Sequence, residues 1–273
     1  MKHDGHARQR PIIQSLWIGP SLSVLEQMCL SSFLEHGCEV HLYVYDQVAG
    51  VPAGVALKDA HAIVPAAKIF KYREYNSYAG FANLFRYQLL LQKGQYWTDT
   101  DIVCMKPFAH PGEHLFASQR MQVAAQPAPA LGNRLRGMVG MAQKPGPVPY
   151  EPNNCLIKAP AGSPVMAYCY DTAATKNPQE LQWGETGPIL LKAAVEKFGL
   201  WECVAKPEAF CPINWWDYRR AVEELPAGKW PAATEAVHLW NEKWRRDGID
   251  KEGTFPAECF YEKMKKKHWR GPY

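Results

Sequence analysis

Ile12-Ile13-Gln14-Ser15-Leu16-Trp17-Ile18 is a short apolar run, followed by Leu25, Met28, Cys29 and Phe33 at helical spacing and then by Val40-His41-Leu42-Tyr43-Val44-Tyr45. The first run reads as a buried strand. Ser21 or Ser23 can cap the helix that follows, and Gly37 stops it. Val40 to Tyr45 alternates as a strand does. A strand–helix–strand opening predicts parallel strands joined by a right-handed crossover. The expected fold is therefore α/β, with a doubly wound, mostly parallel central sheet flanked by helices. Residues 46–68, rich in Gly, Pro and Ala, read as a connection.

Beyond that opening, a second helix is expected from Ala79 to Leu91, closed by Gly94, with strands near 95–97, 101–105, 114–118 and 121–125. Residues 126–152 hold six prolines and four glycines, a composition that predicts a surface excursion or lid. Asn154 to Ala159 reads as a strand, Pro164 to Thr175 and Ile189 to Phe198 as helices, and 201–204, 209–213 and 236–240 as short strands. There is no internal repeat, and 1–273 is expected to form a single domain.

The chain has 273 residues, 47% of them apolar and 21% charged, enough to bury a core and outside the disordered class. Its formal charge of +4 is too small to argue for nucleic acid as a partner. No run approaches about 18 consecutive apolar residues, so no spanning helix is expected. The first residues show no apolar signal core, which suggests a cytoplasmic protein. Eight scattered cysteines without a CxxC pair read as small buried hydrophobes in a reducing compartment.

The chemistry concentrates in Gln95-Tyr96-Trp97-Thr98-Asp99-Thr100-Asp101-Ile102-Val103. Two carboxylates two residues apart at a strand end can converge on one hard cation. Solvated loop acids would give the same triplet. Asn83 and Arg86, three apart on the preceding helix, share one face, although spacing alone also fits an ordinary surface arginine.

From Ala82 to Asp101 the chain resembles the DxD sugar-transferase family of α-1,4-galactosyltransferases, fungal initiating mannosyltransferases and bacterial polysaccharide transferases. That family's pattern is a helix carrying D-x-x-R, a closing Gly and then Y/W-x-D-x-D. Asn83 stands where the family usually has Asp. Three further stretches are similar in the family's order, besides the first strand with Trp17. They are Trp183-Gly184-Glu185-Thr186-Gly187-Pro188, Phe210-Cys211-Pro212-Ile213-Asn214-Trp215 and Ala236-Val237-His238-Leu239-Trp240-Asn241.

The resemblance implies a GT-A fold with its DxD metal site at the strand ends, and a retaining, metal-dependent glycosyltransferase. The implied donor is a UDP-sugar, with UDP-galactose first and UDP-glucose or UDP-N-acetylhexosamine next. The implied acceptor is a glycan or lipid-linked saccharide in polysaccharide or lipooligosaccharide synthesis. By resemblance Asp101 binds the cation directly, Asp99 contacts cation or ribose, and His238 is the third ligand. Imidazole beside carboxylates suits manganese, with magnesium as the substitute. Trp17, Ile18 and Tyr78 fall to the nucleotide base, and Arg86 to the diphosphate or sugar. Asn83 and Asn154 fall to the donor sugar, and Glu185 to the place where donor and acceptor meet.

Two other readings stand beside this one. Asp99-Thr100-Asp101-Ile102-Val103 also fits the D-x-D-x-(T/V) of haloacid-dehalogenase-like phosphatases, with Asp99 as nucleophile. A non-catalytic sugar-binding module is the other reading. Finally, residues 255–273 carry Lys263, Lys265, Lys266, Lys267, Trp269 and Arg270. They read as a basic aromatic tail that is either solvated or docked on an anionic inner membrane face with Trp269 at the interface.

Overall fold

The computed structural model describes residues 10–108, 110–122, 148–223 and 230–271. Its strands are β1 (Ile12–Trp17), β2 (Glu39–Val44), β3 (Val55–Asp59), β4 (Gln95–Thr98), β5 (Ile102–Cys104), β6 (Leu115–Arg120), β7 (Tyr150–Ala159) and β8 (Ala236–His238). Its α-helices are α1 (Val24–Glu35), α2 (Ala79–Lys93), α3 (Pro164–Ala174), α4 (Leu190–Lys197), α5 (Pro207–Phe210), α6 (Asn241–Arg246) and α7 (Phe260–His268).

Six strands form one sheet in the order β3-β2-β1-β4-β7-β6. β3, β2, β1 and β4 are parallel, and β7 runs against both β4 and β6. This is the mostly parallel α/β sheet expected from the opening. Both faces are covered. On one, α1 and α7 pack with Ile13, Val40, Leu42 and Tyr96. On the other, α2, α3 and α4 pack with Tyr43, Trp97, Phe116 and Ile157. No described helix is long and apolar enough to cross a membrane.

Ser23 begins α1, its backbone N–H donating to the Glu26 carboxylate at 2.8 Å, so the capping signal in the sequence is used. The step from α2 into β4 is abrupt. Gly94 has φ +64°, and a Cβ there would sit 2.5 Å from the Ala161 nitrogen, so only glycine fits. The chain enters β4 at once, and the Ser15 hydroxyl donates to the Thr98 carbonyl at 2.8 Å. That bond fixes the end of β4 beside the end of β1.

Several expectations are corrected. Residues 46–68 are not mere connection, because Val55–Asp59 is the edge strand β3. Residues 201–204 contain a turn of 3-10 helix, Trp201–Cys203, and 209–213 begins inside α5, which Pro207 initiates. Within the C-terminal segment, Phe260–His268 is helical. Helix α7 packs on α1, and the Trp269 indole donates to Gln27 at 3.1 Å. Of the expected excursion, 126–147 lies outside the described residues, and 150–152 belongs to β7.

Candidate active site

From β1 the strand order runs outward to β2 and β3 on one side, and the chain then returns to place β4 on the other. Strand order therefore reverses between β1 and β4. In open α/β sheets ligands bind outside the carboxyl ends of the strands at such a switch point. Asp99 is the residue after β4, and a cleft of about 720 Å³ opens there.

Asp99 and Asp101 are held by different means. The backbone N–H of Asp99 donates to the Cys155 carbonyl at 2.8 Å, continuing the β4–β7 ladder. The chain then leaves the main sheet, and β5 pairs antiparallel with β8, Ile102 opposite His238. This two-stranded ribbon brings the last third of the protein against the acidic pair. Trp240, just beyond β8, takes the left-handed conformation with φ +59°, a strained choice for a bulky side chain. Its indole N–H donates to the Ile213 carbonyl at 2.9 Å. The turn so formed aims the Asn241 backbone N–H at Asp101 Oδ2, 2.8 Å away.

His238 Nε2 lies 3.3 Å from Asp101 Oδ2. Atoms of Asp99, Asp101 and His238 all fall within 4.8 Å of one another, so these three side chains can converge on one cation. Asp99 keeps 30% of its side chain exposed, and Arg86 Nη1 approaches its Oδ1 at 3.1 Å. Arg86 is itself buried. It also donates to the Asn154 carbonyl, and its guanidinium stacks 4.7 Å from the Trp97 ring centre. The arginine is thus locked before any substrate arrives.

The two acids titrate apart. Burial raises the Asp99 carboxyl above its ordinary value, with the Arg86 charge opposing and Asp101 reinforcing. For Asp101 burial pulls upward too, but the charge and hydrogen bond of His238 and the Asn241 N–H prevail, and its carboxyl is lowered. On His238 burial disfavours the cation, yet the neighbouring Asp101 carboxylate outweighs it and the imidazole is raised well above its ordinary value. Without a cation, the site holds an Asp101–imidazolium pair beside an Asp99–guanidinium pair.

Asn83, on α2, accepts from Asn154 Nδ2 at 2.5 Å and donates to Thr186 Oγ1 at 3.3 Å. Its amide therefore uses both functions, which a carboxylate could not. Gly187 closes against this pair, since a Cβ there would lie 3.1 Å from Asn83 Nδ2. Gly187 lies within Glu185–Ile189, a π-type turn, an irregularity common at functional sites.

Asn83, Arg86, Asp99, Asp101, Asn154 and His238 all line the cleft, whereas Trp17, Ile18, Tyr78 and Glu185 do not. Trp17 ends β1 on the same sheet edge, partly buried. Tyr78 sits at the start of α2 with Lys71 4.7 Å from its ring centre. Glu185 turns to Lys176, 2.7 Å away, and that bond with one from the Gln182 N–H holds its carboxyl low. This ion pair and the bond from the Gln182 N–H anchor the turn.

The cleft contains cations that the motifs do not mark. Lys243 and Arg246, three apart on α6, both face it. Arg246 is clamped between the rings of Tyr75 and Trp183, 3.4 and 4.0 Å from their centres. The signal available in the sequence was the i, i+3 basic pair one turn after His238-Leu239-Trp240-Asn241.

Comparison with known proteins gives local matches. No family model matches the chain. Over 75 residues, 22% of this chain, it is 35% identical to the lactosylceramide 4-alpha-galactosyltransferase of Homo sapiens, covering 21% of that protein. The proteins of that name from Gorilla gorilla gorilla and Pongo pygmaeus match at 35% over the same length, with 23% and 34% of each covered. The chain thus spans between about a fifth and a third of the curated relatives it matches. Among solved structures it resembles a PaToxG glycosyltransferase, with a TM-score of 0.44, 12% identity, and 96% of this chain and 87% of that one covered. That score carries no argument about a common fold. The curated proteins to which this chain is similar are glycosyltransferases, and over those residues the resemblance to sugar transferases stands on sequence.

Proposed function

We propose that the protein is a glycosyltransferase that moves a hexose from a UDP-sugar to a saccharide hydroxyl, with retention at the anomeric carbon and with a divalent cation. One observation carries the reading. Two carboxylates, an imidazole and a locked guanidinium, drawn from α2, the β4–β5 turn and β8, meet in one cleft at the switch point of the sheet.

Breaking an anomeric C–O bond to a diphosphate requires that the departing negative charge be met. A divalent cation held by Asp99, Asp101 and His238 would supply Lewis-acid neutralisation of that diphosphate. The residues fit such an ion, since two carboxylates with one imidazole form a mixed oxygen–nitrogen donor set. That set favours manganese over magnesium, which prefers an all-oxygen shell. Arg86, already oriented, adds fixed positive charge with a planar donor fork. The Asn83–Asn154 amides offer donors and acceptors to sugar hydroxyls. Trp17, Ile18 and Tyr78, at the neighbouring strand end and helix start, are the base-side candidates. In the transfer, the acceptor oxygen bonds to the anomeric carbon on the face the phosphate leaves. Its proton passes to the departing phosphate oxygen as that C–O bond breaks. Trp183 and Ile189, both exposed, form an apolar rim for an acceptor sugar or lipid-linked saccharide.

UDP-galactose is the first donor to try, because the curated relatives are named for galactosyl transfer; UDP-glucose and UDP-N-acetylhexosamines come next. The test is a thermal-shift panel of UDP- and GDP-sugars with and without manganese, followed by donor hydrolysis. A ligand at 100 times its Kd adds about 2.7 kcal/mol to the folded state, a readily measured rise in Tm. No shift with any UDP-sugar and no manganese-dependent hydrolysis would refute the assignment. Phosphatase activity indifferent to uridine nucleotides would favour Asp99 as a nucleophile instead.

A further inference from the structure

Behind His238, on the side of its other ring nitrogen, two cysteines from distant parts of the chain converge. Cys155 lies in β7 next to Asn154, and Cys211 directly follows α5. Their sulfurs are 3.8 Å apart, and Cys211 Sγ is 4.0 Å from His238 Nδ1. All three residues are buried. Both cysteines are free thiols, at a separation far beyond the S–S bond of about 2.05 Å.

That separation has another meaning. Two metal–sulfur bonds of about 2.3 Å at the tetrahedral angle place their sulfurs about 3.8 Å apart. A zinc–imidazole bond of about 2.0–2.1 Å puts the sulfur–nitrogen edge near 3.6 Å, so the observed 4.0 Å needs an adjustment of only a few tenths of an ångström. The outer partner is present too. Nε2 of the same imidazole lies 3.3 Å from Asp101 Oδ2, and a ligating histidine characteristically donates its other N–H to a carboxylate.

We propose that Cys155, Cys211 and Nδ1 of His238 form a binding site for a thiophilic divalent cation of the zinc class, behind the hard-cation site and sharing His238 with it. Binding breaks two S–H bonds and the Nδ1–H bond of the His238 imidazolium and forms two metal–sulfur bonds and one metal–nitrogen bond; three protons pass to solvent and no electron moves. Burial pushes the Cys155 thiol well above its ordinary value, so it stays protonated until a dication displaces the proton. Three protein ligands leave one position for a solvent molecule. The two sites exclude one another at His238. Zinc on Nδ1 leaves Nε2 protonated and donating to Asp101, whereas a cation on Nε2 needs that nitrogen bare. This exclusion rests on the metal role given to His238 under the proposed function; the thiophilic site does not.

The experiment uses the full chain, freed of metal and loaded with one equivalent of zinc. X-ray absorption at the zinc edge should report two sulfur neighbours at about 2.3 Å; a shell of oxygen and nitrogen alone would overturn the site. Cobalt(II) should give a thiolate charge-transfer band that saturates at one equivalent and bleaches when zinc is added. Cys155→Ser and Cys211→Ser should each weaken cobalt binding at least tenfold, while Cys203→Ser, a partly exposed cysteine outside the cluster, should leave the band unchanged. A band that survives in the Cys155→Ser/Cys211→Ser double variant would also overturn the proposal. Paramagnetic titration of manganese then tests the exclusion. Zinc should weaken manganese binding at least tenfold, and unchanged manganese affinity would overturn the shared use of His238. Failure of manganese to bind at all would count against the proposed function, with the sulfur shell still decided on the zinc-loaded wild type.

Discussion

Replacing Arg86 by methionine separates the two roles that one side chain holds. Arg86 is only 3% exposed. Its guanidinium pairs with Asp99, donates to the carbonyls of Asn154 and Ala82, and stacks on Trp97. Methionine keeps much of the stem's volume and removes the charge. Deleting one partner of a buried ion pair costs about 3–5 kcal/mol. Asp99 retains 30% exposure, so water takes up part of its charge, and about 2–3 kcal/mol is the better figure. The lost carbonyl bonds fall within that figure, because all of them belong to one guanidinium. In a chain of this size such a loss lowers Tm by roughly 5–10 °C.

The assay is a double-mutant cycle read by denaturant melts of wild type, Arg86→Met, Asp99→Asn and the double variant. If the cost is the stranded Asp99 charge, Asp99→Asn should recover about 1–2 kcal/mol in the Arg86→Met background. Acid should help as well. The Asp99 carboxyl is raised by burial even with Arg86 present, and losing the arginine raises it further. A carboxyl whose folded pKa exceeds its unfolded value loses stability as pH rises between the two. The penalty of Arg86→Met should therefore be smaller near pH 4 than at pH 7. Costs that add within about 0.5 kcal/mol, with no relief in acid, would refute the pairing.

Three further outcomes follow from the same geometry. His238 is held protonated well above its ordinary value, Asp101 outweighing burial, so binding a hard cation must expel one proton. Apparent manganese affinity should rise about tenfold per pH unit up to the folded pKa and flatten above it, while His238→Gln removes the slope, as calorimetry in two buffers would measure. Asn83→Asp puts a carboxylate against Thr186, whose hydroxyl can turn to donate; the variant should fold with Tm within about 4 °C of wild type but change its ranking of UDP-hexoses, and an identical ranking at equal rates would show that residue 83 does not touch the sugar. Gly187→Ala sets a methyl 3.1 Å from Asn83 Nδ2 and 3.4 Å from Asn154 Nδ2 on a backbone with φ −99° and ψ −118°, which a residue with a Cβ adopts only under strain, so Tm should fall and donor KM should rise several-fold, and unchanged kinetics in the folded variant would free the amide pair of a donor role.

What the sequence disclosed was whatever is local. β1, α1, β2, α2 and β4 are buried runs with their own stop signals, Gly37 and Gly94, and each forms about where its pattern ends. β3 escaped notice because Val55-Ala56-Leu57-Lys58-Asp59 is a half-exposed edge strand whose short run carries no alternation strong enough to outweigh the prolines and glycines around it. α5 passed for a strand because four residues are too few to display helical periodicity, although Pro207 at its first position was the available sign. β7 extends back to Tyr150 through Pro152 because β4 pairs only with residues 156–159, leaving that part of β7 bonded on one side alone, where a missing N–H is tolerated. In the site, Asp99, Asp101, Asn83, Arg86 and His238 were legible as motif positions. Cys155 and Cys211 were not, since 56 residues separate them and no spacing rule spans such a distance.

The charge pattern explains how so acidic a site exists before any cation binds. Two carboxylates this close, one of them nearly buried, would repel each other and lose hydration if each were left unpaired. Each instead has its own counter-charge from an element that folds independently of a ligand: Arg86 from the middle of α2 for Asp99, and His238 from β8 for Asp101. The two counter-charges differ in kind. A guanidinium cannot shed its proton, whereas an imidazolium can. The Asp99 pairing is therefore permanent, and that at Asp101 is exchangeable, so under the proposed function a dication would enter by displacing the proton of His238 rather than by assembling the site. The strained turn at Trp240 completes the arrangement, because its Asn241 N–H keeps Asp101 hydrogen-bonded at 2.8 Å whichever cation is present. On this account the fold should survive chelation, and stability should rise with manganese only by the mass-action term of binding. A chain that unfolds when chelator is added would mean that the pairing with His238 does not by itself hold Asp101 in place.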